Sequence, residues 1–201
     1  MIQCDVTIKG ITPLIVKRFS EEAAMRASAG SGASTPAADR GTPLEIATGL
    51  LYMGSDKKPM IPGPNLLRCI VDGGSFHKAG KKQLTTKESS LLYACISITE
   101  LEIPIIHKEP WRVDSRPVVN PSTKGRILAH RPMFDDWQLS FTIELDESII
   151  GAKLLRMVVD DAGKRIGLGD FRPSRKGPFG KFVVIKWVER KMQPQLMEAA
   201  E

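Results

Sequence analysis

The chain of 201 residues has only three cysteines and three histidines. Cys4, Cys69 and Cys95 lie far apart and form no CxxC pair, which argues against a zinc site. Each falls within an apolar pattern, so buried free thiols are expected. No apolar run is long enough to cross a bilayer as a helix, and no signal-peptide pattern is present. The expectation is a cytoplasmic protein with reduced thiols, no cofactor and no membrane partner. Acid is scarce in three segments. From Lys78 to Lys87 there are four lysines and no carboxylate; from His107 to Arg131 six Lys/Arg face Glu109 and Asp114; from Lys164 to Lys181 six face Asp170 alone. With a net charge of +6 and a pI near 9.3, this clustering points to a polyanion, nucleic acid first.

What is present reads as one domain, residues 1–201, with insertions. Ile2, Cys4, Val6 and Ile8 alternate with polar residues, the pattern of a half-buried strand. Arg26 to Pro43 is rich in Ala, Gly, Ser and Pro and reads as part of a flexible insertion over about 17–60. Ile61-Pro62-Gly63-Pro64 is a chain reversal opening a helix over 64–72, with Pro64 in its first turn and Gly73-Gly74 as its stop. Cys95 to Ile106 predicts one strand, bulged at Thr99-Glu100. The proline-punctuated, basic stretch 107–136 predicts a protruding β-hairpin. Trp137 to Leu145 is the cleanest alternation in the chain. Leu154, Leu155, Val158 and Val159 form a helical stripe ended by Gly163. Phe182 to Val188 is apolar on both faces and predicts a well-covered strand. The order is βαββαβ, an α+β, ferredoxin-like or RRM-like domain whose free sheet face or rim would meet RNA.

Between the second helix and the last strand lies Gly167-Leu168-Gly169-Asp170-Phe171-Arg172-Pro173-Ser174-Arg175-Lys176-Gly177-Pro178-Phe179-Gly180. Gly167, Gly169, Gly177 and Gly180 permit positive φ and close backbone approach. Arg172, Arg175 and Lys176 suit phosphates, and Phe171 or Phe179 could stack on a base. A dinucleotide-binding fingerprint is excluded by position, because that motif follows a strand and opens a helix.

This loop resembles the glycine-rich signature of the RAMP superfamily, the repeat-associated proteins of CRISPR systems. Lys58-Pro-Met-Ile-Pro-Gly-Pro-Asn-Leu-Leu-Arg68 is similar to the Ile-Pro-Gly-Ser-Ser-Leu-Lys-Gly segment that opens the first helix of many backbone subunits. Here Pro64-Asn65 replace the small polar pair, and Arg68 takes the basic role. The resemblance implies a subunit that binds guide RNA, polymerises along it as a helical filament with other effector subunits, and meets a target nucleic acid in antiviral defence. It also implies a role as thumb for the hairpin at 107–136, with Lys108, Arg112, Arg116, Lys124, Arg126 and Arg131 serving RNA or a neighbouring copy. Lys17 and Arg18, after the first strand, and Lys78, Lys81 and Lys82 complete the basic candidates.

Some members of this superfamily cut RNA. No histidine lies in the first loop; His77, before the lysine cluster, is the remaining acid–base candidate. Asp39 lies in the loop where target-cleaving members carry an aspartate. Asp135-Asp136 and Asp160-Asp161 are adjacent in sequence and are not spaced as metal ligands. A binding protein that cuts nothing is therefore the first expectation. An endoribonuclease using Asp39 or His77, and a single-strand nucleic-acid-binding protein of a phage or mobile element, are the alternatives.

Overall fold

The computed structural model describes residues 1–19, 41–119 and 125–191. Strand β1 (Ile2–Gly10) buries Ile2, Cys4, Val6 and Ile8. After a turn at Pro13 comes the short β2 (Leu14–Ile15). Helix α1 (Pro43–Gly49) begins at a capping box: the Thr42 hydroxyl accepts from the Glu45 amide, and the Glu45 carboxylate accepts from the Thr42 amide. Strand β3 (Met60–Pro62) runs directly into helix α2 (Gly63–Gly73), which buries Leu66, Cys69, Ile70 and Val71. A 3₁₀ turn (Gly74–Phe76) leads to the small hairpin β4 (Lys78–Ala79) and β5 (Lys82–Gln83). The helical turn α3 (Leu92–Cys95) precedes β6 (Ile96–Ile98), and β7 (Glu102–Pro104) follows. The long hairpin is β8 (Arg112–Val119) and β9 (Arg126–Phe134). Strand β10 (Gln138–Leu145), helix α4 (Ala152–Asp161) with a π-helical turn (Ala162–Ile166), and β11 (Phe182–Lys191) complete the fold.

The main sheet is antiparallel with order β11-β1-β10-β6. This is the ferredoxin-like arrangement, in which the two outer strands flank the first and third of a βαββαβ unit. Helices α2 and α4 cover one face through Leu66, Ile70, Leu155, Val158 and Val159, packed over Val6, Ile8, Phe141 and Ile143 in one cluster. The hairpin forms a second sheet, β2-β9-β8, so β2 ties it to the end of β1. Among the described residues no helix is long and apolar enough to cross a membrane.

Four local expectations change. The predicted strand 95–106 is α3's end, then β6 in the main sheet and β7 in a separate ribbon with β3. The chain leaves the main sheet at Glu100, whose carboxylate accepts from the Thr142 amide, and Leu101, whose carbonyl accepts from the Gly63 amide. Alternation persists through both strands and so cannot reveal a change of sheet. The insertion at 17–60 is not wholly flexible: residues 41–60 hold α1, started by its capping box, whereas 20–40 lie outside the described residues. Helix α4 does not stop at Gly163; the chain turns on to Ile166, with Gly163 seated against Phe182, and Gly167 ends it at φ +74°. Finally, β11 is an edge strand, with Ile185 52% and Val188 38% exposed. A bulge opposite Thr7/Ile8 inserts Ile185 and turns apolar residues outward.

Candidate functional site

The glycine loop is anchored near both ends, to the turn between β1 and β2 and to β2 itself. The Leu168 amide donates to Gly180 O (2.9 Å), closing the loop's neck, and the Gly180 amide donates to Pro13 O (2.8 Å). The Asp170 amide donates to Ile15 O (2.7 Å). Gly169 (φ +79°) and Gly180 (φ +70°) are required here: a Cβ on either would strike a backbone carbonyl, of Ile15 and Leu168 respectively. Phe179 is buried, with its ring tilted against Phe171 (6.0 Å between centroids) and the Arg116 guanidinium 4.4 Å above it. Phe179 thus packs the loop, while Phe171 remains partly exposed at a positive φ of 50°. Arg175 and Lys176 stand exposed at the loop's far end.

The loop and the Ile61–Arg68 segment face each other across a cleft of about 260 Å³. One wall is Gly167, Leu168, Gly169, Asp170 and Arg172; the other is Asn65, Arg68 and Cys69 of α2; Val16 and Lys17 close one side. Gly63 lets α2 begin this close to the 100–101 corner, because a Cβ there would strike the Glu100 carbonyl. Lys17, Arg68 and Arg172 thereby converge from three separate parts of the chain. Arg172 Nη1 donates to Gly169 O (2.8 Å), and Arg68 Nε donates to Asp72 (2.8 Å), whose charge raises the guanidinium above its ordinary value. Arg68 is also hydrogen-bonded to Tyr93, and each guanidinium, with five N–H donors, keeps further donors for a ligand. Cys69 is a wall rather than a nucleophile: its thiol donates to Gly167 O (3.2 Å), and burial pushes its pKa up to about 12.

The hairpin is bound to this loop by a buried ion network. Arg131 on β9, only 5% exposed, donates to Asp114 (2.9 Å) and to Asp170 of the loop (2.9 Å). Arg116 donates to Asp114 (2.6 Å) as well as stacking on Phe179. At the hairpin base Arg112 forms a bidentate pair with Asp135, which holds the Asp135 carboxyl below its ordinary range. Among the hairpin's basic candidates, Arg131 is enclosed, Arg112 and Arg116 are paired, Arg126 is exposed, and Lys124 lies outside the described residues.

The other candidates lie apart from the cleft. His77 follows the far end of α2, with Nε2 2.9 Å from the Asp161 carboxylate but at an angle that makes no hydrogen bond. Lys78, Lys81 and Lys82 belong to the small hairpin beyond it. The Arg18 amide donates to Leu50 O (2.8 Å) beside α1. Asp39 lies outside the described residues. Among the described residues no group of three His, Cys, Asp or Glu could hold a metal. On the free face of the main sheet β1, β10 and β6 present polar side chains, with Thr7 bonded to Ser140 (3.1 Å) and Gln3 to Glu144 (3.3 Å). Its described outward positions hold no aromatic side chain, so it lacks a stacking platform of the RRM kind. Tyr52 also lines the cleft, and no sequence pattern pointed to it; nor did the sequence reading make Asp114 and Asp170 members of an ion network. The two aspartates carried a signal: each is an isolated acid within a basic stretch.

No family model and no curated protein matches the sequence. The fold does match a chain in the cryo-EM structure of Type III-B Cmr-beta bound to cognate target RNA, with a TM-score of 0.54 at 13% identity. The match covers 94% of this chain and 61% of that one, so this chain spans less than two thirds of the other's length. At this identity the likeness is one of fold.

Proposed function

We propose that this chain is a single RNA-binding domain of the RAMP kind: a non-catalytic backbone subunit that polymerises along the guide RNA of a CRISPR-type effector in the cytoplasm. The observation that carries the reading is the cleft. There the glycine loop and the Pro-Gly helix start, the two segments with RAMP-like sequence, face each other with Lys17, Arg68 and Arg172 around them. The fold shared with a chain of an RNA-bound Cmr structure supports the same reading. Phosphates lie against the three cations, the glycines let the strand approach the backbone closely, and the hairpin interrupts the strand at intervals between copies. Binding then depends on charge and shape more than on base identity.

The test is equilibrium binding of fluorescent single-stranded RNA across a salt series. Each neutralised phosphate of a single strand contributes about −0.7 to the slope of log K against log salt, so the three cleft cations account for about −2. The double substitution Arg68→Ala/Arg172→Ala should flatten the slope by about 1.4 and weaken binding uniformly across sequences. An unchanged slope would remove the cleft from the reading. RNA cut during the same incubations, with or without Mg²⁺, would overturn the non-catalytic role.

A further inference from the structure

We propose that Asp170 lets this protein distinguish RNA from DNA, its carboxylate accepting a hydrogen bond from a ribose 2′-hydroxyl of the strand in the cleft. Asp170 can play this part only if the cleft takes RNA, as proposed above. A carboxylate is an unexpected wall for a phosphate cleft, because it repels the groups that Lys17, Arg68 and Arg172 attract. It is the one acid among the lining residues. Pairing with a cleft cation would account for it, but among the described residues Asp170 pairs with none of the three.

Its partner comes from behind. Arg131, outside the cleft lining and buried, donates from Nη1 to Asp170 Oδ2, and is itself held by Asp114. The Asp170 amide is fixed to Ile15 O. The carboxylate is therefore held at its backbone and at one oxygen. The other oxygen, Oδ1, accepts no hydrogen bond among the described residues; the side chain is 33% exposed, and the residue lines the cleft. An ionised carboxylate only accepts hydrogen bonds, so its ligand must donate. Phosphodiester oxygens cannot donate. Amino groups of bases can, but only in some bases. The 2′-hydroxyl is the donor that every ribonucleotide carries and every deoxynucleotide lacks. A fixed acceptor beside three phosphate-binding cations suits the sugar of the same residue whose phosphate they hold.

The experiment compares RNA, uracil-containing DNA of the same sequence, and fully 2′-O-methylated RNA, by fluorescence anisotropy, on the wild-type protein and on Asp170→Ala and Asp170→Asn. Wild type should bind RNA more tightly than either analogue. Asp170→Ala should lower the RNA/DNA affinity ratio by about tenfold, the size of one charge-assisted hydrogen bond, while DNA affinity holds or rises as the repulsion is lost. Asp170→Asn keeps an acceptor for Arg131 and should fall between. If Asp170→Ala does not fold, the 2′-O-methylated RNA on wild-type protein decides. Equal affinity of wild type for RNA and both analogues, an unchanged ratio in Asp170→Ala, or a change of base preference in place of sugar preference overturns the assignment. Binding of neither RNA nor DNA overturns the RNA-binding reading itself.

Discussion

Burial governs the three thiols. Cys4 is pushed up to about 11, chiefly by burial and then by the nearby Glu189 carboxylate; Cys69 is pushed up to about 12; and Cys95 is also raised by burial. The thiolate is the reactive form, so none is available near neutrality. Treatment with a thiol-reactive disulfide at pH 8 should leave all three unmodified for minutes, and denaturant should release all three together. A single fast-reacting thiol in the native protein would contradict the burial described here. The same shifts have a consequence for stability. Unfolded thiols ionise near 9.0, below their folded values, so their contribution is complete below pH 9 and is lost as pH climbs toward the folded values of about 11 and 12. Arg131 works by the converse rule: a buried charge is tolerated because Asp114 and Asp170 both compensate it.

At the scale of elements, the glycine loop depends on backbone freedom at a few positions. Gly180 combines a φ of +70° with a Cβ position that would strike the Leu168 carbonyl. A left-handed conformation alone costs about 1–2 kcal/mol for a residue with a side chain, before any clash. Gly180→Ala should therefore lose about 2 kcal/mol or more in urea unfolding and weaken RNA binding with it. Gly49, at the end of α1, has open space at its Cβ position. Gly49→Ala should be neutral, or stabilising by roughly 0.5–1 kcal/mol. Equal effects from the two substitutions would show that the loop does not need its left-handed turns. The strands at 96–98 and 102–104 show how far local pattern reaches. Ile96 and Ile103 are both buried, as their spacing requires, yet they belong to different sheets because Leu101 bonds to Gly63.

On the scale of the whole molecule, the hairpin is an arm fixed to the cleft by Arg131 and Arg116. Its outer half carries exposed Val119 and Leu128, 60% and 56% accessible, beyond the reach of that network. If copies polymerise along RNA as proposed, this outer half is the part of the hairpin left to meet the next copy. Replacing residues 117–128 by Asn-Gly, between the paired Arg116 and Ala129, keeps the anchoring and removes the arm. The shortened protein should melt within a few degrees of the original and bind a short RNA with similar affinity. On a long RNA the full chain should form regular assemblies and the shortened protein should not, as read by sedimentation or electron microscopy. Unchanged assemblies would rule out the hairpin as a contact between copies.

Period-2 alternation in Ile2–Ile8 and Trp137–Leu145, the stripes at Leu66–Val71 and Leu154–Val159, and the Gly and Pro stops between them were enough to read the ferredoxin-like order. These signals are local, since they report backbone period and which side of each element is apolar. The basic glycine loop was legible for the same reason. So was the start of α1 in Thr42-Pro-Leu-Glu45, a capping box that the flexible reading of 17–60 passed over. Pairing across long separations has no such local signature. Only the tertiary structure set the start of α2 opposite the loop, brought Lys17 to join Arg68 and Arg172, and moved 102–104 out of the main sheet. It also divided the basic residues by role. Arg131 looks like any other hairpin cation in sequence, but the faces that meet in the fold enclose it between Asp114 and Asp170, where its charge orients an acceptor rather than a phosphate.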